Sequence, residues 1–244
     1  MLIQPLLDDL SLLKLQGMRE ALAAMQQSPV TAMPDFSDGL GSLLSHEKIY
    51  RQNKRLQRLL TGAKLRYQQA CIENIDDTNS RQLDKTQIKK LAQCEWLAQY
   101  RNVVFIGATG LGKTYLACAL GHAICRQGFS VRYWRLPKLL EALRIAGVDG
   151  TLNKTYQQLA KINVLIVDDW GIEPLNAQQR HHLLEIVEDR YLLQSMIITT
   201  QLPQQHWHDY IGDNTVADAI LDRLLTKSDI ITLKGESMRK INNV

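Results

Sequence analysis

The chain reads as an α/β protein, a parallel sheet with helices on both faces, preceded by a small all-α N-terminal domain. Three observations lead there. Val103-Val104-Phe105-Ile106 runs into Gly107-Ala108-Thr109-Gly110-Leu111-Gly112-Lys113-Thr114 and then into a helical stretch, the strand–loop–helix context of a P-loop, G-x-x-x-x-G-K-[ST]. From there on, apolar strand-like runs alternate with amphipathic helical stretches, a pattern that requires parallel strands with crossover helices. Before it, the first hundred residues show helical spacing.

Composition sets outer limits. At 244 residues the chain can bury a large core, and one domain or a medium domain plus a smaller one fits that length. No apolar run approaches the ~18–20 residues of a membrane span, so no membrane role is expected. The start, Met1-Leu2-Ile3-Gln4-Pro5, lacks the basic and apolar segments of a signal peptide, and a cytoplasmic location is expected. Cys71, Cys94, Cys118 and Cys125 form no C-x-x-C pair and stand at no metal-ligand spacing, which predicts reduced thiols. Net charge is +4, yet Lys48 to Ile72 holds seven basic residues and no acidic one, a local field of one sign.

Taken in order, Leu6, Leu7, Leu10, Leu13, Leu15, Met18, Leu22 and Met25 predict one amphipathic helix, weakened at Gly17 and closed by Ser28-Pro29. A loop over 30–38 leads to a second helix from about Leu40 to Leu60, with Gly62 as its break. On that helix Ile49, Leu56 and Leu60 share a side, while Lys48, Arg51, Arg55 and Arg58 share another with Lys54 at its margin. A helix of this kind can lie along a phosphate backbone, so these five residues are the candidate DNA-binding set; a solvated charged face is the plain alternative. Asp76-Asp77-Thr78-Asn79-Ser80 reads as a turn before a partly helical stretch to Tyr100. The expected organisation is a helical N-terminal domain (1–75), a helical connection (76–100) and a nucleotide-binding domain (101–244).

In the P-loop, residues Gly107 to Thr114 would wrap backbone N–H groups around a phosphate at a helix N-terminus. Lys113 would reach the β and γ oxygens, and the Thr114 hydroxyl would ligate Mg²⁺. Gly128 stands where a glycine ends that helix, Ser130–Arg135 alternates as a strand, and Pro137 opens a helix. Val164-Leu165-Ile166-Val167-Asp168-Asp169 is an apolar run ending in two carboxylates, a Walker B element. Asp168 would hold Mg²⁺ through water, and Asp169 would polarise the attacking water; it is shorter than the Glu often found there, which predicts slow hydrolysis. Asn176 is the expected cap of the next helix. Ser195–Gln201 is a strand expected beside the Walker B strand, so Gln201 would reach the γ-phosphate or the water. His206–Leu225 is helical with a turn at 212–214, and Ser228–Leu233 is the last strand.

GATGLGKTYLACALG, LIVDDWG, IITTQLPQQHWHDYIGD, TVADAILDRLL and LKGESMRK, with the opening LLDDLSLLKLQGMREAL, resemble the IstB-like insertion-sequence helper ATPases. That family is a branch of the AAA+ ATPases near the DnaC-type helicase loaders, and the likeness spans essentially the whole chain. The resemblance implies ATP and Mg²⁺ as cofactors and a homo-oligomer in which Arg223 is an arginine finger reaching a neighbour's γ-phosphate. It also makes Arg239 the second sensor arginine, and the few residues after Arg239 imply a core without a helical lid. The implied activity is ATP hydrolysis by a transposition helper that assembles on double-stranded DNA and recruits or stimulates a transposase. Gln201 departs from the Asn common in relatives. A helicase loader shares the ATPase core and is the alternative, although loaders of that type open unlike this Leu-rich start. A small-molecule P-loop kinase would need a substrate lid.

Overall fold

The computed structural model describes residues 3–26, 35–75, 83–235 and 237–238. The chain divides into two compact units, Met1–Arg58 and Leu59–Val244.

In the smaller unit, α1 (Ile3–Leu12) and α2 (Gln16–Gln26) are two helices where apolar spacing predicts one. The chain reverses at Lys14, which takes φ 59°, with Leu15 N–H bonded to the carbonyl of Leu10 at 2.8 Å. Continuous apolar periodicity carries no mark of such a reversal when no Gly or Pro stands at it. Gly17 does not weaken a helix interior. It lies in the first turn of α2, where a Cβ would come within 2.7 Å of the Glu47 Cα, the His46 carbonyl and the Tyr50 Cβ, so α3 (Phe36–Ala63) can approach only a glycine there. The buried Glu47 carboxylate completes the contact, accepting from Gly17 N–H (2.7 Å) and Met18 N–H (3.1 Å) at the N-terminus of α2 and from Arg51 Nε (2.7 Å). The packed side of α3 thus runs through Glu47 and Tyr50, and Ile49, expected to be covered, is exposed. Gly62 does not break this helix, which continues to Ala63.

The larger unit takes in residues 59–75, which the sequence groups with the N-terminal helices. The described part continues with α4 (Lys85–Ala92), capped by Asp84, then β1 (Asn102–Ile106), α5 (Lys113–Arg126), β2 (Val131–Arg135), α6 (Leu136–Val148) and α7 (Leu152–Ala160). It ends with β3 (Val164–Trp170), α8 (Ala177–Arg190), β4 (Ser195–Thr200), α9 (Trp207–Ile211), α10 (Asn214–Leu225) and β5 (Ser228–Thr232). The expected turn over 76–80 lies outside the described residues. Asn176 caps α8 through a full capping box with Gln179, as the sequence indicates.

Five strands form one parallel sheet in the order β2-β3-β4-β1-β5. Strand residues alternate between two buried faces, which is why these strands read as unbroken apolar runs. Val104, Ile106, Leu165, Val167, Met196 and Ile198 pack with Leu139 and Leu143 of α6, Leu183 and Ile186 of α8, and Ile220 of α10. The other face meets α5, where a Cβ on Gly121 would stand 2.9 Å from Ile166 Cδ1. Cys94, Cys118 and Cys125 are buried and all four cysteines are free thiols; burial pushes each of the three up to about 11, so they are inert at neutral pH. No described helix is long and apolar enough to cross a membrane.

Candidate nucleotide site

Because every strand is parallel, the carboxyl ends of β1, β3 and β4 share one edge of the sheet, and the candidate residues collect there. After β1 the chain turns through Gly110 (φ 85°) and Gly112 (φ 82°) before α5 begins at Lys113. Gly110 is required twice over: by its backbone and by Ser237, whose Oγ a Cβ would meet at 2.0 Å, beside the bond from Met238 N–H to the Gly110 carbonyl (2.9 Å). Leu111 anchors the loop in the core while Ala108 and Thr109 stay exposed. Lys113 is buried, and its ammonium donates to the carbonyls of Gly107 (2.7 Å) and Ala108 (2.8 Å), so its charge sits inside the loop.

Thr114 donates to Asp168 Oδ1 at 2.9 Å, joining the Walker A and Walker B segments. Asp168 is fully buried and its charge is spread over hydroxyl donors: Thr114 and Thr199 on Oδ1, Tyr133 on Oδ2 at 2.5 Å. The Tyr133 hydroxyl, pushed up by burial and by the Asp168 carboxylate, is a permanent donor. The β3–β4 register slips between Val167 and Trp170, and Asp169 within that irregularity takes φ 64°. The slip turns its side chain into the cavity while Trp170 returns to the core against Trp207, ring centroids 5.0 Å apart. There Asp169 Oδ2 accepts from Arg135 Nε at 2.6 Å. Gln201 Oε1 accepts from the Thr109 hydroxyl at 2.6 Å, tying the end of β4 to the P-loop.

A cavity of about 80 Å³ opens between these groups, lined by Thr109, Lys113, Thr114, Asp169 and Gln201 among others. The donor set where a metal would sit is a hydroxyl and a carboxylate, hard oxygens that suit Mg²⁺. The left-handed glycines of the loop form a nest of N–H groups suited to phosphate, with the Lys113 charge behind it. ATP with Mg²⁺ therefore fits the residues present. Among the described residues no cluster of three or more His, Cys, Asp or Glu offers another metal site.

The remaining sequence candidates lie elsewhere. Arg223, near the end of α10, pairs with Glu188 at 2.7 Å, donates to the Ala219 carbonyl at 2.8 Å and stacks over Tyr191. Its neighbour Leu224 accepts from the side chain of Asn102, the first residue of β1, so Arg223 stands at the amino edge of the sheet, away from its own P-loop. Lys48, Arg51, Lys54, Arg55 and Arg58 are all exposed on α3. Arg239 lies outside the described residues. Sequence reasoning missed Arg66, Tyr133 and Thr199 in the site. Only the polar end of the β4 run signalled the threonine, and nothing local marks the other two.

The sequence profile of the IstB-like ATP binding proteins matches residues 8–244. The chain belongs to that family. An insertion-sequence protein of Sinorhizobium fredii named as ATP-binding is 43% identical over 240 residues, 98% of each chain. A Pseudomonas fluorescens protein of insertion sequence IS1162, also named as ATP-binding, is 47% identical over 203 residues, 83% of this chain and 88% of its own. Among solved structures the DnaC helicase loader has a TM-score of 0.59 at 24% identity, covering 69% of this chain and 99% of that one. DnaA from Aquifex aeolicus bound to AMPPCP has 0.58 at 18%, covering 72% and 53%. At those identities the likeness establishes a shared fold for this family member, and function must be argued from its site.

Proposed function

We propose that this chain is an ATP-dependent, DNA-binding helper of a transposase, working in the cytoplasm. The observation that carries the proposal is the family match over residues 8–244 together with a phosphate loop already joined to its Walker B carboxylate through Thr114 and Asp168. Residues Gly107 to Thr114 would hold ATP, Lys113 would lie against the β and γ oxygens, and Thr114 with Asp168 would hold Mg²⁺. Bound Mg²⁺ would neutralise charge on the terminal phosphates. Asp169 would orient the attacking water, and Gln201 would sense the γ-phosphate. Arg223, at the opposite edge of the sheet, would complete the pocket of a second copy, and Arg239 would contact phosphate in its own chain. Bound ATP would then favour the assembled state, since that state alone presents a γ-phosphate to the neighbour. The assembly would grip duplex DNA and recruit or stimulate the transposase, and slow hydrolysis would release the grip.

A helicase loader is the second reading, favoured by the shared core with DnaC. Co-purification separates the two, through a transposase in the first case and a replicative helicase in the second. The direct test is sedimentation of the wild-type protein with duplex DNA, with and without ATP and Mg²⁺, beside Lys113→Ala. ATP-dependent assembly on duplex, lost in Lys113→Ala along with nucleotide binding, is expected. A wild-type protein that stays monomeric on DNA under both conditions sinks the proposal.

A further inference from the structure

Beyond the Walker residues, the nucleotide cavity has a second cation, delivered by a segment with no motif. Lys64 ends α3 in a left-handed conformation (φ 50°), and the next residues are held from beneath. Leu65 is buried against Gly121 of α5, which fixes the turn on the helix that follows the phosphate loop. From this anchored turn the Arg66 guanidinium passes over the Tyr67 ring (5.7 Å from its centroid) and brings Nη1 to 3.8 Å from Asp168 Oδ2.

That position is unusual for a structural arginine. At 3.8 Å the contact with Asp168 is an ion pair without a hydrogen bond. The Asp168 oxygens already have hydroxyl partners, so the carboxylate is satisfied without Arg66. The Arg66 side chain is 45% exposed, and it lines the same cavity as Thr109, Lys113, Thr114 and Asp169. Among the described residues lining that cavity, Arg66 and Lys113 are the cations. A triphosphate would enter a space that Asp169 lines and Asp168 abuts, where every added anion is repelled unless fixed positive groups face it. A guanidinium lying over the Tyr67 ring and facing the cavity meets that need with its planar fork of donors.

We infer that Arg66 is a phosphate-binding residue supplied by the same chain, contacting the triphosphate alongside Lys113. The inference rests on the ATP reading above. It adds to the nucleotide pocket a residue from the segment directly after α3, outside both Walker motifs.

The test is ATP affinity of the full chain by calorimetry, for wild type, Lys113→Ala, Arg66→Gln and Arg66→Lys, each in Mg²⁺ and in EDTA. Arg66→Gln keeps a polar side chain with hydrogen-bond donors and removes the charge, so the loss it reports is that of the charge. A graded loss is expected, about threefold for Lys and tenfold or more for Gln, present in EDTA as well as in Mg²⁺. Unchanged affinity in Arg66→Gln overturns the inference. So does a loss confined to Mg²⁺, because an arginine acting only on the metal grip of Asp168 would matter only with the metal. Should Arg66→Gln fail to fold, Arg66→Lys decides, with unchanged affinity again overturning. A wild type that does not bind ATP fails the ATP reading itself, whereas binding lost in Lys113→Ala and intact in Arg66→Gln fails this inference alone.

Discussion

Asp169 occupies a backbone conformation that most side chains avoid, and its carboxylate is taken up by Arg135 at 2.6 Å. An oxygen that accepts from a guanidinium has fewer lone pairs to offer a water molecule. If Asp169 orients the attacking water, Arg135 competes with that role, and the active population is the fraction in which the pair is open. Arg135→Ala should therefore raise basal ATP turnover several-fold, while Asp169→Asn should lower it about 10²-fold, read by phosphate release at saturating ATP. A fall in turnover with Arg135→Ala would show instead that Arg135 supports the reaction. The exposed position of Arg135 leaves it accessible to other anions, so the competition can be relieved from outside the pocket. At this scale the sequence is legible where the chemistry is contiguous. Lys113, Thr114, Asp168 and Asp169 follow from two short motifs, and the structure brings them together. Arg66, Tyr133 and Thr199 reach Asp168 from three separate segments through tertiary packing, and pairing of that kind has no local pattern to read.

Among the elements, the strands and their parallel direction were the readable part, because a strand buried on both faces leaves an unbroken apolar run and crossover helices force it parallel. The N-terminal helices were harder. Spacing of three and four shows which residues share a face but not where a helix reverses, and at Lys14 the turn is made without Gly or Pro. Gly17 likewise reads as a weak point in a helix, whereas its lack of a side chain is what lets α3 approach α2. The α3 stripe is intact, with Lys48, Arg51, Lys54, Arg55 and Arg58 all exposed, but not all are equally available: Arg51 is bonded to the buried Glu47 that holds the start of α2, and Lys54 lies 5.7 Å from the Tyr50 ring centroid. If α3 contacts DNA, replacing Lys48, Arg51, Arg55 and Arg58 by Ala should weaken duplex binding and flatten its salt dependence, by about 0.9 in log–log slope for each phosphate that is no longer neutralised. Arg51 should contribute less than its exposure suggests, since binding through it must break its pair with Glu47. An unaltered slope, measured by titration between low and moderate salt, would place the DNA on another surface.

For the whole molecule, the parallel sheet separates two functions by its own length. The phosphate loop sits at the carboxyl edge and Arg223 at the amino edge, with the five residues of β1 spanning about 16 Å between them. An arginine so placed cannot serve its own phosphate site, but it can serve that of a second copy stacked edge to edge. In the single chain Arg223 is held by Glu188 at 2.7 Å, by the Ala219 carbonyl and by the Tyr191 ring, so assembly would require exchanging Glu188 for a neighbour's phosphate. The exchange trades one charge-assisted pair for another, and it goes forward only where a γ-phosphate is present to take the guanidinium. Two variants at opposite ends of that pair should then move assembly in opposite directions. Arg223→Ala should leave ATP affinity nearly unchanged while abolishing ATP-dependent oligomers, because the residue is remote from its own pocket. Glu188→Gln should lower the ATP concentration at which oligomers form, because the competing carboxylate is gone. Sedimentation velocity across an ATP titration reads both. If Glu188→Gln weakened assembly instead, the carboxylate would be a brace that orients the arginine toward its neighbour, and the order of events at the interface would have to be reversed.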